Sequence, residues 1–230
     1  MTSINFIGGE KGGVGKSVTA RLLAQYFIDR NRPFAGFDTD RSHHSFARFY
    51  EGFASPVVVD TFEGLDAVAD GFELNPHRSA IVDMAAQTLA PLASWINESG
   101  LFEVLGNLGI AVNFWHIVDD GKDSSDLLGT LLDTFGKGAN YVVVLNEGRG
   151  SDFSLLRGSP SMFKAAAVSA KVITLPRLQD TCMRKIDAQN ASFWHAVNDR
   201  SSSHALGLLE RQRVKNWLAL VYAGFDTVPL

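Results

Sequence analysis

The sequence predicts an α/β fold: a doubly wound, mostly parallel sheet with helices on both faces. Three observations predict it. Short apolar runs alternate with stretches whose apolar residues recur at helical spacing, the order that parallel crossover connections require. Several of the apolar runs end in Asp or Asn, at the carboxyl ends of strands where open α/β sheets gather their ligands. The first run, Ile4-Asn5-Phe6-Ile7, leads into a glycine-rich loop, and an amphipathic run from Val18 to Phe27 leads straight out of it. At 230 residues, 46% hydrophobic and 20% charged, the chain suits a single domain over residues 1–230 that covers both faces of a central sheet. No linker, composition break or internal repeat divides it.

The remaining elements follow in order. Asn31-Arg32-Pro33 breaks the first helix, and Phe34 to Phe37 reads as a strand ending in Asp38-Thr39-Asp40. Pro56 to Asp60 is valine-rich and reads as a strand buried on both faces. Glu63 to Gly71 is mixed, a short helix or a loop. Ser79 to Asp83 repeats the buried strand with a terminal aspartate, and a helix begins near Gln87, carrying Leu89, Leu92, Trp95 and Ile96. A second run covers 101–108. Gly109 to Val118 is the next strand, closed by the turn residues Asp119-Asp120-Gly121, with Ser124 or Ser125 as the cap of a helix carrying Leu127, Leu128, Leu131 and Leu132. Tyr141 to Asn146 is a clear buried strand, residues 147–160 read as a flexible Gly- and Ser-containing loop, and Ala170 to Leu175 is the last strand, followed by Pro176-Arg177. From Asp187 onward the chain reads as helical, broken at Ser201-Ser202-Ser203. The stripe Leu206, Leu209, Val214, Trp217, Leu218 and Val221 suits a last helix packed on the sheet better than one lying on a membrane, because basic residues along it are sparse.

The loop Gly8-Gly9-Glu10-Lys11-Gly12-Gly13-Val14-Gly15-Lys16-Ser17 carries the chemistry. Strand, glycine loop and helix together place backbone amides at the positive end of a helix dipole, a cradle for phosphate. Gly12, Gly13 and Gly15 permit positive φ and close approach of the backbone to phosphate oxygens. Lys16 supplies a point charge for the β- and γ-phosphates, and the Ser17 hydroxyl is a Mg²⁺ ligand. The general pattern G-x-x-x-x-G-K-[ST] requires glycine where this chain has Glu10, so the strict motif fails at its first position. The pattern K-G-G-x-G-K-[ST] fits from Lys11 through Ser17, and in this the chain resembles the ParA/MinD family of deviant P-loop ATPases.

That resemblance implies a P-loop NTPase fold, ATP and Mg²⁺ as ligands, and a cytoplasmic homodimer with the nucleotide sandwiched between subunits. By the same resemblance Lys11 crosses to the partner's nucleotide, Lys16 holds the phosphates, and Asp40 orients the attacking water. Ser17, Asp38 and Asp83 serve the metal. Gly12, Gly13, Val14, Gly15, Lys16, Ser17 and Val18 surround the phosphates, Asn146 reads adenine, and Pro176 and Arg177 pack on the base. Asn146 equally suits a turn before Glu147-Gly148, and Asp83 a helix cap. The chain departs from the family after Asp40, where Arg41-Ser42-His43-His44 follows, and after Asp83, where Met84-Ala85-Ala86-Gln87 follows. An alanine amide still suits a γ-phosphate.

Composition narrows the partners. A net charge of -4 gives little bulk attraction to DNA or anionic lipid, so any such binding needs a local face such as Arg177, Arg184, Lys185, Arg211, Arg213 and Lys215. The single Cys182 excludes an internal disulfide and suits a reducing compartment. No apolar run is long enough to span a bilayer, and the first strand starts too early to leave room for a signal segment. His43 and His44 lack accompanying ligands at metal spacing, and His116, among large apolar residues, reads as a core histidine. The function implied is an ATPase that hydrolyses slowly under the stimulus of an adaptor, driving DNA partition or transfer. The alternatives are a positioning scaffold for a membrane, secretion or cellulose-synthesis machine, and an ATP-dependent carboxylate ligase.

Overall fold

The structure, a computed structural model, describes residues 1–59 and 61–230. The described residues build strands β1 (Ser3–Gly8), β2 (Phe34–Asp38), β3 (Ala54–Pro56), β4 (Ser79–Asp83), β5 (Ala111–Val118), β6 (Asn140–Asn146) and β7 (Lys171–Leu175). All pair in parallel, in the order β3-β2-β4-β1-β5-β6-β7. The helices are α1 (Lys16–Asp29), α2 (Ser45–Phe49), α3 (Phe62–Leu74), α4 (Leu89–Glu98), α5 (Leu101–Asn107), α6 (Lys122–Phe135), α7 (Ser154–Arg157), α8 (Pro160–Ala167), α9 (Asp180–Ala188), α10 (Phe193–Asn198) and α11 (Leu208–Phe225). The doubly wound parallel sheet is as the sequence predicts.

Each face of the sheet has its own core, because alternate residues of every strand point to opposite sides. Leu22 and Phe27 of α1, Trp115, Phe193, Trp217 and Phe225 fill one side, and Phe6, Trp95, Phe114, Leu128 and Tyr141 the other. β1 lies at the centre between β4 and β5, so the strand order reverses beside it, and the crevice at its carboxyl end is where ligands bind in such sheets. Register carries the acidic residues there: Asp83 stands opposite Ile7 on one side and Asp38 on the other.

Several local expectations are corrected. The strand expected at 56–60 lies at Ala54–Pro56 and forms the sheet edge, not a strand covered on both faces. Pro56 has no amide to offer a ladder, and an edge tolerates this. Asp60 lies outside the described residues. The mixed stretch at 63–71 belongs to a full helix, α3, whose cap Thr61 accepts a hydrogen bond from the Gly64 amide. Residues 147–160 are not a featureless loop: they contain α7, and Ser159 caps α8, which starts on Pro160, a helix-start signature. Neither Ser124 nor Ser125 is the cap of α6; Gly121 holds that position. Helix α4 begins at Leu89, two residues beyond Gln87, which takes a left-handed φ of 62°. The helical region begins earlier than Asp187, at Asp180 in α9.

The apolar stripe of α11 packs on the sheet as expected, with Val214, Trp217, Leu218, Val221 and Phe225 buried, although Leu209 is exposed. Val228 and Leu230 beyond it are buried too. No helix among the described residues is long and apolar enough to cross a membrane.

Candidate functional site

The loop between β1 and α1 wraps over the end of the central strand. Gly9, Gly13 and Gly15 have positive φ, of 140°, 76° and 109°, whereas Gly12, expected to need one, does not. Gly15 is the most constrained of them: a Cβ there would stand 2.3 Å from Nδ2 of Asn146. That nitrogen donates to the Val14 carbonyl at 2.6 Å, and Oδ1 of Asn146 accepts from the Gly148 amide at 3.0 Å. Asn146 therefore pins the loop to the end of β6 and shapes its own turn, using both ends of its amide for structure. Gly15→Ala meets both the steric block and an unfavourable φ, each a recognised cost of about 1–3 kcal/mol. The expected result is a loss of about 2 kcal/mol or more in urea denaturation, together with weakened nucleotide binding.

Lys16 turns inward. It is 9% exposed, and its Nζ donates to the carbonyls of Gly9 and Lys11, at 2.8 Å each, holding the loop closed around the ammonium. Burial pulls its pKa below the usual lysine value, while Asp83, Glu10 and Asp40 oppose the shift. Lys11 turns the other way, across the surface, where its Nζ lies 2.7 Å from Oδ2 of Asp119. Asp119 also accepts from the Ser124 hydroxyl at 2.6 Å and the Gly121 amide at 3.1 Å. The bond to Asp119 raises the Lys11 pKa; partial burial pushes the Asp119 carboxyl upward, but Lys11 and Ser124 outweigh it and hold it low. Sequence reading treats Asp119 only as turn chemistry, and its partnership depends on β5 lying beside β1. Glu10, the residue that breaks the strict motif, accepts from the Leu89 amide at 2.9 Å and so caps α4 from the phosphate loop. Thr88, at the cap position, makes no side-chain cap bond of its own.

The acidic residues divide by role. Among the described residues both oxygens of Asp83 are buried without a hydrogen bond of good geometry, although the Ser17 hydroxyl is near enough to lower its pKa. Burial pushes this carboxyl up to about 7; the Ser17 hydroxyl and Lys16 pull it down, and Asp38 and Asp40 push it further up. An orphaned buried carboxylate with an adjacent hydroxyl and ammonium fits a hard cation that takes most of its other ligands from water and phosphate. No group of three His, Cys, Asp or Glu side chains able to hold a metal gathers among the described residues. Asp38 is different: Oδ1 accepts from the Asp40 amide at 3.0 Å, and Oδ2 from the amides of Phe46 and Ala47 at 2.8 and 3.0 Å. Its carboxylate ties the turn to the start of α2 through these three bonds. Asp40 is partly exposed, with Oδ1 accepting from the Ser42 and His43 amides and Oδ2 3.4 Å from Nδ1 of His43. Burial pushes its carboxyl upward, but these amides outweigh the effect and hold it low. Thr39 accepts from the Ala85 amide at 2.7 Å, joining the two segments that follow Asp38 and Asp83. The Ala85 amide is thus engaged within the chain.

On the far side of the loop a cavity of about 430 Å³ brings together Gly15, Val18, Asn146, Pro176 and Arg177, all expected from sequence to surround the nucleotide. Trp217 of α11 donates from Nε1 to the Pro176 carbonyl at 2.6 Å, and Arg177 pairs with Asp180 at 2.8 Å. Part of the expected basic face is neutralised there, since Lys185 also pairs with Glu210 at 2.7 Å. His116 is a core residue as read: its Nε2 lies 3.0 Å from the Ser124 carbonyl, and burial pulls its pKa down to about 4.

No family model matches the chain. The curated protein TraL from Escherichia coli is 24% identical over 232 residues, covering 94% of this chain and 93% of its own. Among solved structures, MinD in the MinC:MinD cell division complex of Aquifex aeolicus superimposes with a TM-score of 0.52 at 11% identity, covering 100% of this chain and 98% of that one. A nucleotide-binding protein from Archaeoglobus fulgidus, solved in complex with ADP, gives 0.52 at 12% identity, covering 82% and 86%. The likeness to the solved structures is one of fold, and the loop that carries the sequence resemblance sits where that fold places a phosphate loop. The chain accordingly has a fold of the MinD type, and its phosphate-loop sequence resembles that of the ParA/MinD proteins.

Proposed function

We propose that this chain is a ParA-like cytoplasmic ATPase that binds ATP with Mg²⁺, dimerises around it, and hydrolyses it slowly, with an adaptor's help, to drive DNA partition or transfer. The observation that carries the reading is the opposite aim of the two lysines: Lys16 points into the loop, and Lys11 lies across the surface with an acidic partner on the same chain. Ser17 and Asp83 would hold Mg²⁺, which would supply charge neutralisation on the phosphates. The loop amides and Lys16 bind and orient the triphosphate, Asp40 holds a water near the γ-phosphate, and Lys11 exchanges Asp119 for the phosphate of a second subunit. Hydrolysis removes the group that orders the segments after Asp38 and Asp83, and the dimer opens.

Light scattering with ADP, ATP and a slowly hydrolysed ATP analogue, with and without duplex DNA, tests this. ATP and the analogue are expected to give dimers, and ADP monomers. Lys11→Ala should bind ATP yet stay monomeric, while Asp119→Asn, which frees Lys11, should dimerise at a several-fold lower protein concentration. A fully dimeric Lys11→Ala variant removes the crossing lysine from the mechanism. The ion pairs Arg177–Asp180 and Lys185–Glu210, with the net charge of -4, favour a second reading: a positioning ATPase that carries a protein machine and not DNA. Binding to duplex DNA that requires ATP and weakens steeply with salt supports the first reading, and ATP-dependent dimers without such binding support the second.

A further inference from the structure

We infer that Asp187, held in place by the buried Arg21, reads the exocyclic amine of adenine and sets the base preference of the site. The inference rests on the nucleotide-binding reading above. On α9 the residues Asp180, Met183, Arg184 and Asp187 fall at helical spacing on one face and line the cavity beside Gly15 and Val18, while Cys182 and Ile186 on the opposite face are buried. Asn146, the side chain expected to read the base, spends one donor on Val14 and one acceptor on Gly148, which fixes its orientation and leaves it one of each. A second polar group in the cavity would add base recognition that a fixed amide does not supply alone.

Asp187 is that group. Its side chain is 49% exposed, and Oδ1 accepts from Nη1 of Arg21 at 3.0 Å. Arg21 projects from α1, five residues after Lys16, and is 3% exposed. Its guanidinium lies 3.6 Å from the Phe49 ring centroid and 5.0 Å from that of Phe193, and its Nε and Nη2 have no hydrogen-bond partner. A buried arginine paired with a half-exposed carboxylate returns little stability for the desolvation it costs. What it gives is orientation: Asp187 is tethered through one oxygen to a guanidinium that lies over two aromatic rings, and its other oxygen makes no hydrogen bond among the described residues.

A carboxylate only accepts hydrogen bonds. Adenine presents an amine donor at C6, whereas guanine and hypoxanthine present a carbonyl oxygen there, which a carboxylate repels. The two adjacent donors of guanine suit a carboxylate with both oxygens free, and Arg21 already occupies one. Site-built polar contacts of this kind discriminate strongly, because the wrong ligand leaves a group unpaired.

Calorimetric titration of the intact protein with ATP, ITP and GTP tests the assignment. The wild type is expected to bind ATP at least about tenfold more tightly than ITP or GTP, about the worth of one hydrogen bond to a charged group. Asp187→Asn, whose amide both accepts and donates, should bring ATP and ITP within about twofold. Arg21→Met keeps the apolar packing and releases Asp187; it should narrow the ATP-to-ITP ratio, whereas a purely structural role would weaken all three nucleotides alike. Equal affinities in the wild type, a measurement independent of how the variants fold, overturn the inference, as does a ratio unchanged in a folded Asp187→Asn. A wild type that binds none of the three overturns the nucleotide reading itself.

Discussion

Lys16→Ala is expected to weaken ATP binding by at least about a hundredfold while leaving the fold intact. The ammonium lies within the phosphate loop and its hydrogens go to the carbonyls of Gly9 and Lys11. Phosphate oxygens are better partners than carbonyls, because both sides of the bond are then charged, and each such bond is worth about 1.5–3 kcal/mol. Two of them lost together amount to at least about 3 kcal/mol, or about two orders of magnitude in affinity. The loop keeps its path through other means: the Asn146 bond to Val14, the Glu10 bond to Leu89 and the positive φ of Gly9, Gly13 and Gly15. Calorimetry with ATP checks the loss, and circular dichroism melting checks that folding persists. Unchanged affinity in a folded variant would remove the loop from nucleotide binding altogether.

The contrast between what sequence showed and what it hid follows from the range of the interactions. The strand, glycine loop and helix at 4–27 are local in sequence, and a dense motif with a hydrophobic pattern on each side identifies them. Buried central strands are equally plain, as at Tyr141 to Asn146, because both faces must be apolar. The edge strand is not, because an edge relaxes that demand, and the valines of 57–59 were mistaken for it. In the site, sequence finds residues at strand ends but not their partners. Asp38 and Asp83 look alike as strand-terminal aspartates, yet one is committed to three amides and the other is unpartnered. The difference is made by α2, which folds back over β2 and brings the amides of Phe46 and Ala47 to Asp38. Asp119, Glu10 and Arg21 were missed for the same reason: their partners lie 108, 79 and 166 positions away, and no local spacing signals them.

The unpartnered Asp83 leads to the other large effect. Replacing it with Asn should remove most of the benefit that Mg²⁺ brings to ATP binding, about tenfold or more, because a neutral amide is a poor ligand for a hard divalent cation. The same change should expose a hidden pH dependence in the nucleotide-free protein. Asp83 titrates at about 7 in the folded chain against a usual 3.8, so between those values the folded state holds a proton that the unfolded state has lost. Its contribution makes stability fall as pH rises, by up to about 1.4 kcal/mol per unit. His116 does the reverse: burial lowers it from 6.5 to about 4, so across that interval the unfolded state holds the extra proton and stability rises with pH. Between about pH 4.5 and 6.5 the two slopes oppose one another and nearly cancel. The other carboxyls held low in the fold, such as Asp40 and Asp119, act alike in both proteins, so the difference isolates Asp83: in urea denaturation without Mg²⁺ the Asp83→Asn variant should gain stability relative to the wild type as pH rises over this interval. Parallel profiles for the two proteins would mean that Asp83 is already ionised when the fold is empty. In that case the Ser17 hydroxyl and the Lys16 ammonium hold the ionised form in the empty fold, and Mg²⁺ binds without displacing a proton.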